Sequence, residues 1–319
     1  MNVRKTLVLL GVITFAQEAL ANAQVTDEQR FQLGNLELSV GMGLLSGHAE
    51  EKVYDPYDGE KISQLNWDIK QATTLHLGLT YHPLEWLSLD VCGWTRVAGG
   101  NSHMKDYDWL GDEGEGWSHY SDHPDTRLNK AWQAEVSATV WALKRDDLAL
   151  GVTAGYQRSQ LGWESSGGRY TYSSEGDYRD QTGAFLKDEK LIGYQQTYDT
   201  PYIGLVGRYT LQDWTLESRF KYSQWVKARD YDQHYLRDLT FTGNHGNSGQ
   251  MQSLALALTY RVDPQLSIKA GFEYQVQAEA KGSTLIRDAS TGKSFHDGGN
   301  SSSQASRTLL SSMALTYQF

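Results

Sequence analysis

The chain has 319 residues, a formal net charge of −10 and a mean hydropathy of −0.55. Its single cysteine, Cys92, excludes an intrachain disulfide, and its acidic balance argues against nucleic acid as a partner. The chain contains 31 Gly, 19 Tyr and 10 Trp but only 5 Pro. This composition favours strands with one apolar face over an ordinary secreted globule.

The N-terminal segment predicts export. A basic pair, Arg4 and Lys5, precedes a short apolar run, and Ala21-Asn22-Ala23 is the small-x-small pattern that a signal peptidase accepts. The apolar run is about half the ~20 residues that a membrane-spanning helix needs, so a membrane anchor is the weaker alternative. We therefore predict a signal peptide over residues 1–23 and one mature domain over residues 24–319.

The mature sequence repeatedly alternates apolar and polar residues, which is the period-two pattern of a β-strand. The clearest run covers residues 266–277, and similar runs cover residues 148–157, 214–222 and 254–260. The chain ends in the same way, with alternation over residues 309–319 up to a terminal aromatic residue. Strands with lipid on one face and a polar interior on the other are typical of outer-membrane β-barrels.

Short and long polar segments alternate between these strands. Tight connections rich in turn-forming residues are predicted near residues 82–85, 144–147, 210–213 and 262–265. Long connections are predicted at residues 47–62, 98–128, 163–190, 229–250 and 282–304. Five long and four short connections join ten strands, with both termini on the periplasmic side. The sequence therefore predicts an all-β fold, a ten-stranded antiparallel transmembrane β-barrel with long extracellular loops.

Two of the long segments carry residues suited to catalysis. One contains Asp106 and Asp108, and the other contains Asp230, Asp232 and His234. If both segments open on one rim of a barrel, the two clusters can form one active site there. Imidazole is a base near neutral pH, and a neighbouring carboxylate can orient it. Either cluster alone is more commonly solvated charge on an exposed loop, so the interpretation depends on their convergence.

Motifs spread in order along the mature chain resemble those of one protein family. They include Ser63-Gln64-Leu65-Asn66-Trp67, Met104-Lys105-Asp106-Tyr107-Asp108-Trp109, His123-Pro124-Asp125-Thr126, Pro201-Tyr202-Ile203-Gly204-Leu205 and Asp230-x-Asp232-x-His234-Tyr235. On these residues the chain resembles the omptins, which are aspartate- and histidine-dependent endopeptidases of the Gram-negative outer membrane. The family has a ten-stranded barrel with its active site facing the cell exterior, and the resemblance implies the same here.

The resemblance implies two catalytic pairs that face each other across the extracellular mouth. His234 would activate a water molecule for attack on an amide, and Asp232 would orient His234 and stabilise the imidazolium that forms. Asp106 and Asp108 would hold the water and act as the acid–base partner. Adjacent carboxylates repel one another's ionisation, so this pair is expected to share a proton.

The resemblance also implies a cation-selective pocket. In omptins, acids at the positions of Glu51 and Asp230 line the pocket for the residue preceding the cut, and carboxylates there select Arg or Lys. Basic polypeptides with a dibasic preference are therefore the expected substrates. His119 stands where the family often has an acid, so the preference after the cut is expected to differ.

A third implication concerns lipid. Omptins bind lipopolysaccharide, which supports activity, through a Tyr-x-Glu-x-Arg run and a further Arg on the next strand. Here Tyr156 is kept, Arg158 replaces the Glu, Gln160 replaces the Arg, and Thr197 stands at the further position. Lipopolysaccharide is thus an expected partner and candidate activator through Tyr156 and Arg158, with weakened or altered contacts. No metal and no other cofactor are expected.

Other functions stay open at this stage. A catalytically silent barrel acting as an adhesin or invasin would share the fold. A passive pore would need an open lumen, whereas the charged residues of 217–221 are expected to fill the narrow lumen of a ten-stranded barrel. Ser121 lacks the surroundings of a nucleophile elbow, which argues against a serine hydrolase. His119 and His123 have metal-ligand spacing, but a loop does not hold that spacing on one face.

Overall fold

The computed structural model describes residues 35–111, 116–175 and 177–319, and Leu36–Phe319 form one compact unit. The predicted signal peptide over residues 1–23 lies outside the described residues. No helix in the described part of the chain is long and apolar enough to cross a membrane.

In the described residues, fifteen antiparallel strands make a single sheet. They are β1 Leu36–Tyr54, β2 Lys61–Leu84, β3 Leu87–Ala98, β4 Met104–Asp108, β5 His119–His123, β6 Arg127–Lys144, β7 Leu148–Ser166, β8 Arg169–Ser174, β9 Asp177–Ala184, β10 Lys190–Leu211, β11 Trp214–His234, β12 Leu239–Asn244, β13 Gly249–Arg261, β14 Leu266–Asp288 and β15 Ser294–Gln318. A 3-10 turn over Tyr235–Arg237 follows β11.

The sheet closes on itself, which confirms the predicted antiparallel barrel. The ring runs β1-β2-β3-β6-β7-β10-β11-β13-β14-β15, and β15 pairs with β1 from Gln318↔Glu37 to Ser302↔Val53. The ring has ten members, and five further strands, β4, β5, β8, β9 and β12, lie within the long connections, where no strands were expected. These five strands continue the wall beyond the ring.

The predicted bounds of the long loops are therefore wrong. Most of the segment 47–62 is strand, since β1 continues to Tyr54 and β2 begins at Lys61. Apolar alternation reports which face meets lipid, whereas strand pairing depends on backbone hydrogen bonds. Above the lipid-facing band the outward positions become polar, so the alternation stops while the strands continue.

The two faces of the wall follow the predicted alternation. On β13 and β14, Leu254 and Phe272 are exposed on the outer face, while Ser253 is buried inside and donates a 2.7 Å hydrogen bond to Glu273. An apolar outer band suits a barrel in lipid, because all backbone groups there are paired within the wall.

Paired charges fill the middle of the lumen. Lys221 Nζ on β11 lies 2.8 Å from Glu135 Oε2 on β6 and 2.8 Å from Glu273 Oε1 on β14. Gln157 also donates to Gln275 across the interior at 3.0 Å. A buried charge is tolerated when it is paired and hydrogen-bonded, so these contacts brace opposite walls and oppose the passive-pore alternative.

An aromatic core supports the extracellular end of the barrel. Trp67 on β2 stacks on Tyr194 of β10 at 5.3 Å between ring centroids, and Trp163 of β7 lies 5.8 Å from Trp67. All three side chains are buried, and Met104 of β4 joins the same cluster. This core links the strand that carries Asp106 to the strand that pairs with Asp232, so it sets the distance between the two acidic clusters.

Candidate active site

The first acidic cluster lies on β4. This strand pairs with the extracellular end of β2, where Leu65 faces Asp106 and Ser63 faces Asp108. Residues two apart on a strand share a face, and buried Met104 places that face inside the barrel. Both carboxylates consequently point into the mouth.

The second cluster lies at the end of β11, where Asp230, Asp232 and His234 share the inner face. His234 Nε2 lies 2.6 Å from Asp232 Oδ2, and the Asp232 side chain is almost fully buried. Arg237 in the following turn donates a hydrogen bond to His234 Nδ1. Because Arg237 can only donate, Nδ1 accepts, and the proton of a neutral imidazole lies on Nε2 toward Asp232.

Glu51 of β1 completes an acidic mouth. The register Glu51↔Leu65↔Asp106 puts Glu51 and Asp106 in one row, two strands or about 10 Å apart along the wall. Burial raises the pKa of Glu51 well above its usual range, and the charges of Asp232, Asp230 and Asp106 raise it further. The two clusters therefore converge with Glu51 on one rim.

The β4 carboxyls hold protons more tightly than free aspartates do. Burial is the largest cause that raises the pKa of Asp106 well above its usual range, followed by the charges of Asp108 and Asp232. Burial also raises the pKa of Asp108, against the opposing effect of the Ser63 hydroxyl. Such a pair can hold one proton and donate it.

Several carboxylate oxygens in the mouth lack a protein donor. Among the residues that the structure describes, Glu51 Oε2, Asp106 Oδ1 and Asp232 Oδ1 are buried without a hydrogen-bond partner. Each unsatisfied acceptor of this kind costs about 1–3 kcal/mol. A water molecule or a cationic group entering the mouth would satisfy them.

Asp230 is different, because donors from this chain occupy both of its oxygens. Gly243 N–H donates to Oδ1 at 2.9 Å, and His245 Nε2 lies 2.9 Å from Oδ2. His245 is a site residue that the sequence pattern does not predict. The β11–β12 hairpin brings His245 to Asp230, because Asp230 pairs with Gly243, two residues before His245. This pairing register cannot be recognised from the residue pattern.

His119, Ser121 and His123 of the second long segment contact other groups of the wall. His123 Nε2 lies 2.7 Å from Ser121 Oγ, and its Nδ1 lies 2.6 Å from the carbonyl oxygen of Gly167, all buried. His119 contacts the Tyr172 ring instead, at 4.8 Å. Four residues of strand separate His119 from His123 by about 13 Å. In the described ranges no three potential ligands are grouped to hold a metal.

The residues of the expected lipid site lie on the outer wall. Tyr156 donates to Asp199 of β10, and Arg158 Nε lies 3.5 Å from the same carboxylate. Arg229 of β11 also binds Asp199. Arg229, which was not among the residues expected at this site, therefore lies beside Arg158 on the outer wall.

Gln160 and Thr197, the two substituted positions of the expected lipid site, bind each other. Gln160 Nε2 donates to Thr197 Oγ1 at 3.1 Å across the β7–β10 pair. Neither side chain is charged, so the pair contributes no cation to this part of the outer wall.

The raised pKa values of Glu51, Asp106 and Asp108 make stability depend on pH. A carboxyl whose folded pKa is raised stabilises the fold below its unfolded pKa, and this contribution is lost as pH rises through the folded pKa. We therefore expect the thermal unfolding midpoint to fall from about pH 4 towards neutrality and above, as followed by circular dichroism in detergent. Glu51→Gln should raise the midpoint at pH 8 by a few degrees, as about 1 kcal/mol would.

Glu60→Gln, in the exposed turn between β1 and β2, is the matched control and should leave the midpoint and its pH slope unchanged. If Glu51→Gln and Glu60→Gln show the same slope as the parent protein, the acidic mouth does not cause the pH dependence.

Known proteins resemble this chain over almost its whole length. The chain is 34% identical over 316 residues to the plasminogen activator of Yersinia pestis, covering 99% of this chain and 100% of the relative. It is 32% identical over 313 residues to outer membrane protease OmpP of Escherichia coli, covering 98% and 99%. The crystal structure of outer membrane protease OmpT from Escherichia coli superposes with a TM-score of 0.87 at 31% identity, covering 92% of this chain and 100% of that one. The omptin family model matches residues 32–319. The chain therefore belongs to the omptin family and is a β-barrel protein of the Gram-negative outer membrane.

Proposed function

We propose that the protein is an endopeptidase that cleaves basic polypeptides after Arg or Lys at the extracellular mouth of its barrel. The observation that carries the proposal is the His234–Asp232 pair, which faces the Asp106–Asp108 pair within a largely buried acidic mouth. Family membership and relatives named as outer-membrane proteases support a proteolytic function.

In the proposed reaction, His234 removes a proton from water as the water oxygen attacks the scissile carbonyl carbon. Asp232 holds Nε2, so Nδ1 is the nitrogen that takes the proton, and Arg237 must first withdraw from it. Asp232 then stabilises the imidazolium. The protonated member of the Asp106–Asp108 pair donates a hydrogen bond to the developing oxyanion. Collapse breaks the C–N bond, and the departing amine takes the proton from the imidazolium.

Substrate choice follows from charge. Glu51 and Asp230 lie on opposite sides of the mouth, and their interaction contributes to the raised pKa of Glu51. A guanidinium or ammonium group between them would relieve that repulsion and satisfy Glu51 Oε2. We propose basic polypeptides with a dibasic preference as substrates, including zymogens cut at Arg or Lys bonds, since one relative is named a plasminogen activator.

We further propose that lipopolysaccharide binds the outer wall at Tyr156 and Arg158 and acts as an activator with altered contacts. Supporting this, Arg158 and Arg229 are available as phosphate partners beside Tyr156. Both are already bound to Asp199, so the trio has a net charge of only +1. Its attraction for lipid phosphates is expected to be weaker than that of an uncompensated arginine pair.

The mechanism predicts a large loss of turnover in two variants. His234→Ala or Asp106→Ala should lower kcat by at least ~10²-fold, because a positioned general acid or base contributes that much. Turnover is measured with a fluorogenic Arg-Arg peptide on refolded barrel supplied with lipopolysaccharide. Chelators and serine-directed reagents should have little effect.

His48→Ala is the matched control for these variants, because His48 lies on the outer side of β1 and is half-exposed; it should keep full activity. Near-parental rates in both His234→Ala and Asp106→Ala would contradict the mechanism. A parent protein that cleaves no basic peptide under these conditions would favour the silent adhesin-like barrel.

The pocket assignment predicts a selective loss. Glu51→Gln with Asp230→Asn should lower kcat/KM for cleavage after Arg and Lys by at least ~10²-fold, since an enclosed cation without a counter-charge is costly. The barrel should stay folded in circular dichroism. Mass spectrometry of the products identifies the cut sites. A parent protein that cuts mainly after apolar or acidic residues would refute the pocket, whatever the double variant does.

The lipid proposal predicts modest activation. Rough or smooth lipopolysaccharide titrated into delipidated protein should raise peptide cleavage, and Arg158→Ala or Arg229→Ala should shift the midpoint to higher lipid concentration. Arg261→Ala is the matched control, because Arg261 pairs with Asp213 at a tight turn at the opposite end of the barrel. Absolute lipid dependence that neither variant alters would show that another surface binds the lipid.

A further inference from the structure

His245 is a buried histidine that the proposed reaction does not use. It follows β12, its side chain has 0% exposure, and its backbone N–H donates to the carbonyl of Ala228 at 3.0 Å. Its Nε2 contacts Asp230 Oδ2 at 2.9 Å. The ring is thus enclosed directly behind one of the two acids of the proposed pocket.

The hydrogen bonds of His245 define its tautomer. In the described part of the chain no partner reaches Nδ1, which is buried. A proton on Nδ1 would be a buried donor without an acceptor, which is costly, whereas a bare lone pair is tolerated better. The geometry therefore favours the tautomer in which Nε2 carries the proton and donates it to Asp230.

The backbone around this contact leaves room only for glycine. A Cβ on Gly243 would lie 2.0 Å from Asp230 Oδ1 and 2.7 Å from His245 Nε2, and a Cβ on Gly282 of β14 would lie 2.4 Å from the Cα of His245. All three distances are too short for any residue other than glycine unless the neighbouring atoms shift. The carboxylate, the ring and the backbone donor are therefore packed into one arrangement.

From this arrangement we infer that His245 is a positioning residue that makes the pocket select arginine over lysine. A carboxylate has about four lone-pair sites, and Gly243 and His245 each take one, on different oxygens. One site remains on each oxygen, so both oxygens stay available in a fixed plane. A guanidinium fork needs two coplanar acceptors, whereas a compact ammonium needs only one point of contact.

The inference rests on the proposed cleavage after Arg and Lys, and it assigns different roles to the two acids of the pocket. Glu51, with an unpaired buried oxygen, supplies charge to either cation. Asp230, oriented by His245, supplies the geometry that distinguishes them. Loss of the His245 donor would let the Asp230 carboxylate rotate. This rotation would weaken the bidentate contact with Arg more than the single contact with Lys.

The test compares His245→Leu with His245→Gln on matched peptides that differ only in Arg or Lys before the cut. His245→Leu should raise KM for the Arg peptide by about 10-fold or more, as expected for a lost hydrogen bond to a charged group, with kcat nearly unchanged. The ratio of kcat/KM for Arg over Lys should fall towards one. The Gln variant, whose amide reaches about as far as Nε2, should restore both quantities. His48→Leu is the control.

If His245→Leu does not fold, as judged by circular dichroism, His245→Asn replaces it as the donor-free variant, because the shorter amide does not reach Asp230. His245→Asn is then compared with His245→Gln. An unchanged KM and Arg-to-Lys ratio in the donor-free variants would overturn the inference. Equal losses in kcat for both peptides, without rescue by Gln, would also overturn it by showing a purely structural role. A parent protein that cuts after neither Arg nor Lys refutes the proposed function itself. A parent that does cut, with no effect of the variants, refutes only the role of His245.

Discussion

The closed ladder of backbone hydrogen bonds around the ring is the constraint on which this structure depends. A barrel in lipid has no water to satisfy backbone groups, so each strand must pair on both sides, and β1 achieves this by pairing with both β2 and β15. The antiparallel order of successive ring strands also places alternate connections, which are the long ones, at one end. Because β4, β5, β8, β9 and β12 extend that end with further paired strand, the catalytic candidates lie on rigid wall.

The rigid wall has an energetic consequence. Glu51, Asp106 and Asp108 are buried near one another, and their raised pKa values report that their charged forms are disfavoured in the fold. A fold can hold such a cluster only if other contacts offset its cost. The stacked aromatic core around Trp67 and the paired charges around Lys221 are the contacts that brace the wall on either side of it. Stability and substrate attraction are therefore opposed at the mouth, where a basic side chain would relieve the repulsion.

Two contacts show how near neighbours can adjust a site without joining the reaction. Arg237 occupies the nitrogen of His234 that the proposed reaction needs, and His245 orients the carboxylate of Asp230. Both come from the segment after β11, with Arg237 in the turn of the β11–β12 hairpin and His245 directly after β12. Changes in this segment would alter both the proposed base, His234, and the proposed pocket acid, Asp230. Neither Arg237 nor His245 belongs to the motifs on which the chain resembles the family.

The two faces of the wall and the spacing of the candidate catalytic residues follow from the sequence alone. Period-two alternation over residues such as 266–277 distinguishes a lipid-facing side from a polar side, and the Asp-x-Asp and Asp-x-His spacings place their side chains on one face wherever a strand carries them. The sequence did not show where the strands end, because strand pairing extends beyond the apolar pattern at residues 47–62. Nor did it reveal His245 or Arg229, whose positions follow from inter-strand register. Register depends on hydrogen bonds between distant segments, and only the tertiary structure brings those segments together.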